Sequence, residues 1–261
     1  MTKSKTKTRQ KKKSTSGDKA AGKQRLQKVL AAAGVDSRRN CETLILDGVV
    51  RVNRKVVDEL PVFVDPANDV ITVHGRRIHA AEKVYFLLNK PKGVICTNSD
   101  PAGRRKAIDL IDCESRIFCV GRLDADTTGA IILTNDSELS NLLTHPRYEL
   151  DKTYEVRILG RVDGEAIEKL KKGVWLAEGK TGRSAVKVLK RSSMETTLQV
   201  VIRQGLNRQV RRTFAKIGYK VKGLRRTRIG TITTKGMRIG QYKKLSVSQV
   251  SWLKSATNKS G

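Results

Sequence analysis

Apolar residues recur at helical spacing twice near the start of the chain. In residues 24–34, Leu26, Val29, Leu30 and Ala33 share one face, and Gly34 ends the segment. In residues 37–48, Ser37 stands at the N-cap position, Cys41, Leu44 and Ile45 form the stripe, and Gly48 is the stop. The run VVRVNRKVV then alternates apolar and polar positions around Asn53-Arg54, which predicts a hairpin. Farther on, apolar or alternating runs at 85–88, 117–121, 130–134, 153–159 and 196–203 predict strands, and 136–143, 164–172 and 207–217 predict helices. Strands and helices do not alternate regularly and no G-x-G-x-x-G turn is present, which argues against a dinucleotide fold. The pattern predicts an α+β chain: a small helix-helix-hairpin unit, then a larger domain with a mixed, mainly antiparallel sheet flanked by helices.

Charge divides the chain further. The 261 residues carry 54 Lys plus Arg against 25 Asp plus Glu, a formal net charge of +29, so a polyanionic partner is expected. Residues 1–23 hold nine bases and one acid with no large apolar residue to bury, the composition of a disordered basic tail. Residues 24–72 are charge-balanced and make up the small unit, 73–81 read as a linker, 82–255 as the larger domain and 256–261 as a C-terminal tail. From Arg203 to Lys244 there are fourteen bases and no acid, interleaved with Phe214, Tyr219 and Tyr242, which reads as a surface that tracks phosphates. Four cysteines without a C-x-x-C pair and three histidines argue against a zinc ribbon or a disulfide scaffold. No apolar run is long enough to span a bilayer and no secretory signal is evident, so a cytoplasmic protein without membrane contact is expected.

Candidate chemistry sits in GRLDADTTG, residues 121–129, between two apolar strands. A sheet-anchored carboxylate on a glycine-bounded loop suits catalysis, although Asp124 or Asp126 could equally cap a turn. Asn89-Lys90-Pro91-Lys92-Gly93 reads as a basic turn, either touching a phosphate backbone or simply solvated. His145, before Pro146, reads as structural, and Cys113 and Cys119 read as core residues.

Two sets of motifs resemble known families. R-L-Q-K-V-L-x-x-A-G-x-x-S-R-R followed by L-I-x-x-G-x-V-x-V-N-x-K-x-V is similar to the alpha-L RNA-binding motif named after small-subunit ribosomal protein four, which implies structured RNA as partner, with Lys28, Arg38, Arg39, Arg54 and Lys55 as contacts. G-R-L-D-x-D-T-x-G-x-x-x-L-T-N-D, then L-x-H-P, D-K-T-Y-E-V and Q-G-x-N-R-Q-V-R-R, resembles the Rsu family of ribosomal-RNA pseudouridine synthases, in its large-subunit branch. The resemblance runs from residue 24 to about 253 and departs from the usual pattern at Leu206 and Ala130. It implies an isomerase that flips a uridine of ribosomal RNA, most simply of the large subunit, and converts it to pseudouridine with no cofactor or metal.

By position, the resemblance makes Asp124 the catalytic aspartate, sets Tyr154 against the flipped base, and pairs Arg211 with the carboxylate of Asp124. Arg122 would fill the gap left by the base or hold its phosphate, Asp126 would hold the loop, and Arg208, Arg212, Arg225, Arg226 and Arg228 are expected as RNA contacts. The reaction breaks the N1–C1′ bond and forms a bond from C5, which calls for an ionised carboxylate beside a fixed cation. Nothing requires more than a monomer. The rival readings are a noncatalytic ribosome-assembly factor and a base glycosylase, the latter needing a second carboxylate and an admitted water.

Overall fold

The computed structural model describes residues 22–256, and the basic tail expected over 1–23 lies outside them except for Gly22 and Lys23. The chain divides into two units at residues 80 and 81.

The first unit contains β1 (Gln24–Arg25), α1 (Leu26–Ala32), α2 (Arg38–Leu46), β2 (Val50–Val52), β3 (Lys55–Val57), β4 (Phe63–Val64), β5 (Ile71–Val73) and β6 (Arg76–Arg77). Ser37 Oγ accepts from the Asn40 backbone N–H at 3.1 Å, the cap expected for α2. Asn53 and Arg54 have φ of 51° and 70°, the left-handed pair that a two-residue hairpin turn requires between β2 and β3. Leu26, Leu30, Cys41, Ile45 and Val50 are fully buried and form the core with Val64, Ile71 and Val73. The expected linker over 73–81 is corrected in part. His74 and Gly75 turn with positive φ, Val73 pairs with Arg76, and Ile78 N–H donates to Ile71 O at 3.0 Å, so the segment extends the small sheet in the order β3-β2-β5-β6.

The second unit contains β7 (Tyr85–Lys90), β8 (Phe118–Cys119), β9 (Thr128–Thr134), α3 (Ser137–Thr144), β10 (Lys152–Leu159), α4 (Gly164–Lys172), β11 (Trp175–Leu176), β12 (Gly179–Lys180), β13 (Ala185–Arg191), β14 (Glu195–Ile202), α5 (Gln209–Lys216), β15 (Val221–Ile229), β16 (Ile232–Thr233), β17 (Tyr242–Lys244) and α6 (Val247–Ala256). Its main sheet runs β13-β14-β10-β15-β9-β7-β17. The β9–β15 pair is parallel and the other pairs are antiparallel, which agrees with the mixed, mainly antiparallel sheet expected. β9 is apolar from Ala130 to Leu133 because both its faces are covered: Ala130 and Ile132 pack in a cluster with Leu139 and Leu143 of α3, and Ile131 and Leu133 pack with Phe86, Leu88 and Leu123. A third cluster joins β10, β14 and β15 to Leu170 of α4 and Phe214 of α5.

The β9–β15 pair forms at a place where no side chain fits. A Cβ on Gly129 would lie 2.1 Å from Arg226 O, and Gly129 has φ of +105°. Gly129→Ala is therefore expected to cost about 3 kcal/mol or more, from overpacking and a strained backbone. Gly164→Ala, at a position with open space around its Cβ and no positive φ, should stay within about 1 kcal/mol of the parent. Chemical denaturation of the two variants checks both values.

Candidate active site

The GRLD loop leaves β8 through Gly121 and is clamped from below. Leu123 N–H donates to Cys96 Sγ at 3.4 Å, Thr127 N–H closes a turn onto Asp124 O at 3.0 Å, and Gly93 N–H donates to Ala125 O at 2.7 Å. Leu123 is buried in the sheet-side core, and Asp124 projects from its far side with about a third of its side chain exposed.

Two arginines of the α5 region hold this loop. Arg208 Nη1 lies 3.2 Å from Asp124 Oδ2 and 3.7 Å from Asp126 Oδ1. Arg211 Nη2 lies 3.1 Å from Asp126 Oδ2 and donates to the Asp126 carbonyl at 3.4 Å. Arg208 stands at the N-cap of α5 and Arg211 in its first turn, and they take the two carboxylates of the Asp124–Thr127 turn in order. The expected pairing of Arg211 with Asp124 is thus corrected: Arg208, at the N-cap of α5 with φ of +47°, reaches ahead of the helix to Asp124 and leaves Arg211 to Asp126.

Beside the loop is a cavity of about 440 Å³, lined among others by Arg122, Asp124, Tyr154, Leu206, Arg208 and Arg226. Tyr154 is 8% exposed and stands on β10 between Val200 and Arg226 of the flanking strands, which fixes its ring in the sheet. Arg122 is exposed at the cavity. His145 also lines it, but its Nδ1 accepts from Arg147 N–H at 3.3 Å and so caps the following turn.

The basic residues expected to contact RNA fall into different settings. Arg38, Arg39, Arg54 and Lys55 are exposed in the first unit and Lys28 is half-buried. In the second unit Arg228 is exposed, Arg225 is half-buried, and Arg212 is engaged by both carboxylate oxygens of Glu178 at 2.7 and 2.5 Å. Arg226 is 4% exposed and donates from Nε to Ala130 O at 2.7 Å, so it belongs to the cavity wall, not to a solvated face. The turn at Asn89–Gly93 is likewise only partly solvated: Asn89 and Lys90 are fully buried, and Lys90 Nζ donates to Val94 O at 2.6 Å and Pro91 O at 3.1 Å. Burial lowers the Lys90 amine from its ordinary range.

Sequence reasoning missed Lys152. It lies two residues before Tyr154 on β10, hence on the same face, and it lines the cavity. Burial, with Arg226 nearby, pushes its amine down to about 8. Only its place in the K-T-Y motif could have pointed to it. Among the described residues, no group of three or more His, Cys, Asp or Glu side chains is placed to hold a metal ion, and no helix is long and apolar enough to cross a membrane.

Residues 84–216 match the family model of RNA pseudouridylate synthase, and residues 24–71 match that of the S4 domain. The chain is 44% identical over 234 residues to the ribosomal large subunit pseudouridine synthase B of Bacillus subtilis, covering 88% of this chain and 96% of that protein. It is 40% identical to the protein of the same name from Pseudomonas aeruginosa, covering 87% of this chain and 61% of that one. A solved pseudouridylate synthase aligns with a TM-score of 0.65 at 28% identity, over 88% of this chain and 99% of that one. The chain belongs to the RNA pseudouridylate synthase family, a class of isomerases that act on RNA. The noncatalytic reading is not supported by these likenesses.

The depressed Lys152 amine links stability to pH. Between about pH 8 and the ordinary lysine value the unfolded chain binds the proton and the folded chain does not, so stability rises with pH through that window. Lys152→Met removes this cost, and it should raise Tm more at pH 7 than at pH 9.5. Thermal unfolding of both proteins at the two pH values is the check.

Proposed function

We propose that this protein isomerises a uridine of large-subunit ribosomal RNA to pseudouridine, with Asp124 as the group that acts on the nucleoside. The observation that carries the reading is the placement of Asp124 at the edge of the 440 Å³ cavity, with Arg208 3.2 Å from its carboxylate and Tyr154 in the wall. The names of the Bacillus and Pseudomonas relatives support the choice of RNA.

A uridine stacked in a helix is out of reach of a carboxylate held by a sheet, so the nucleotide is extruded into the cavity and Arg122, exposed beside it, fills the space left behind or holds its phosphate. Tyr154 offers its ring face to the base. Asp124, paired with Arg208 at 3.2 Å, acts on the flipped nucleoside as nucleophile or as base. The N1–C1′ bond breaks, the base turns within the cavity, and C5 bonds to C1′. The proton lost from C5 is balanced by one gained at N1, so the product is an isomer of the substrate. Arg211 works through Asp126: it fixes the loop beyond Asp124 and is a positioning residue. Holding Asp126 in this way also leaves it engaged with arginines instead of activating a water, which favours isomerisation over base release.

Binding of the remaining RNA falls to exposed bases, Arg38, Arg39, Arg54 and Lys55 in the S4 unit with Lys28 beside them, and Arg228 in the second unit. The chemistry balances without an outside atom, electron or cofactor, and one chain supplies every group invoked. The reading places the enzyme as a monomer in the cytoplasm, where ribosomal RNA is assembled.

Carbodiimide labelling and primer extension of unmodified large-subunit RNA, treated with the protein or with Asp124→Asn, tests this. A new stop is expected with the parent protein and none with the variant, at equal RNA binding. Identical patterns from both would remove Asp124 from the reaction.

A further inference from the structure

The chain has two tryptophans, and they are in opposite settings. Trp252 packs over Gly230, where an added Cβ would meet its ring at 2.3 Å, whereas Trp175 is 67% exposed on the β11–β12 hairpin. An exposed tryptophan leaves a large apolar area in water, and two features hold this one rigidly in that position.

At the base of the hairpin, Val174 N–H donates to the buried Thr181 Oγ1 at 3.0 Å and Thr181 N–H to Val174 O at 2.9 Å. At its tip, Glu178 accepts both terminal nitrogens of Arg212. Arg212 follows Arg208 by four residues, about 6 Å along α5, and Arg208 holds Asp124. The hairpin is therefore tethered one helical turn from the carboxylate at the cavity.

Charge selects the occupant. Trp175 pairs across the hairpin with Lys180, so the two side chains share a face. From Lys171 to Arg191 there are seven bases, and Glu178, already bound to Arg212, is the single acid. A single exposed ring offers little apolar area for a protein interface, and the charge of the segment around it suits a phosphate backbone. We propose that Trp175 is a stacking platform for an unpaired nucleobase flanking the target uridine, held by its ring face while Lys180 meets the adjoining backbone. This rests on RNA as the substrate of the neighbouring cavity. Stacking accepts any base, so it contributes to affinity and strand placement without reading sequence.

Tryptophan emission during titration with an oligouridylate, and with an abasic oligonucleotide of equal length and charge, tests the proposal; Trp175→Phe supplies the Trp252 background. The expected result is quenching of the Trp175 component by oligouridylate and not by the abasic strand. On ribosomal RNA, Trp175→Ala should raise KM about tenfold with the loss falling on KM, and Trp175→Phe should recover most of it. Equal responses to the two strands, or an unchanged KM in Trp175→Ala, would overturn it. Base-dependent quenching by a protein that forms no pseudouridine would instead sink the isomerase reading and leave the stacking site standing.

Discussion

Asp124 opens a turn closed by Thr127 N–H, and the aim of its carboxylate depends on the arginines that the start of α5 presents to it. Arg208 at the N-cap and Arg211 in the first turn of the helix meet Asp124 and Asp126 in turn. These pairs are partly exposed, and such pairs contribute only about 0–1 kcal/mol each to stability. Their value is geometric: a bridge on either side of Ala125 removes the freedom of the loop to swing away from the cavity, and the Gly93 N–H bond to Ala125 O closes it from the opposite side.

The helix can reach the loop because β9 and β15 run side by side. Their close approach at Gly129 and Arg226 brings the strand that follows α5 against the strand that follows the loop, and Arg226 Nε spans the pair to Ala130 O. The parallel pair joins the apolar half of the sheet, built on β7 and β9, to the half on which α4 and α5 pack. The cavity opens where those halves meet, with Lys90 buried near Asp124 and Asp126, Arg226 buried in the wall and Lys152 half-buried beside Arg226. A region so rich in buried positive charge is costly without anionic partners. The substrate, whose phosphates and detached base carry negative charge, is suited to that environment.

Much of this was legible from local pattern. The helices at 38–46 and 164–172 and the hairpin turn at Asn53-Arg54 follow from caps, stripes and turn residues that act within a few positions, and the structure has them where those signals stand. Asp124 and Tyr154 could be singled out through motif order, and the structure brings both to one cavity. What the pattern could not supply were facts of packing at long range. Arg226 looks like its solvated neighbours in a basic run, yet the parallel strand beside it buries it. Lys90 reads as a turn residue until the carbonyls of Pro91 and Val94 fold back over its amine. The choice between Arg208 and Arg211 turned on a left-handed residue at the start of α5, which the sequence N-R-Q does not announce.

Arg208 meets Asp124 directly, whereas Arg211 reaches it only through Asp126. Single-turnover rates at saturating RNA for Arg208→Gln and Arg211→Gln, each in the parent and in an Asp126→Asn background, separate the two roles. Arg211→Gln is expected to slow the parent about tenfold and to have no further effect once Asp126 is Asn, whereas Arg208→Gln slows both backgrounds. An Arg211→Gln defect of equal size in the two backgrounds, with Arg208→Gln near the parent rate, would contradict this.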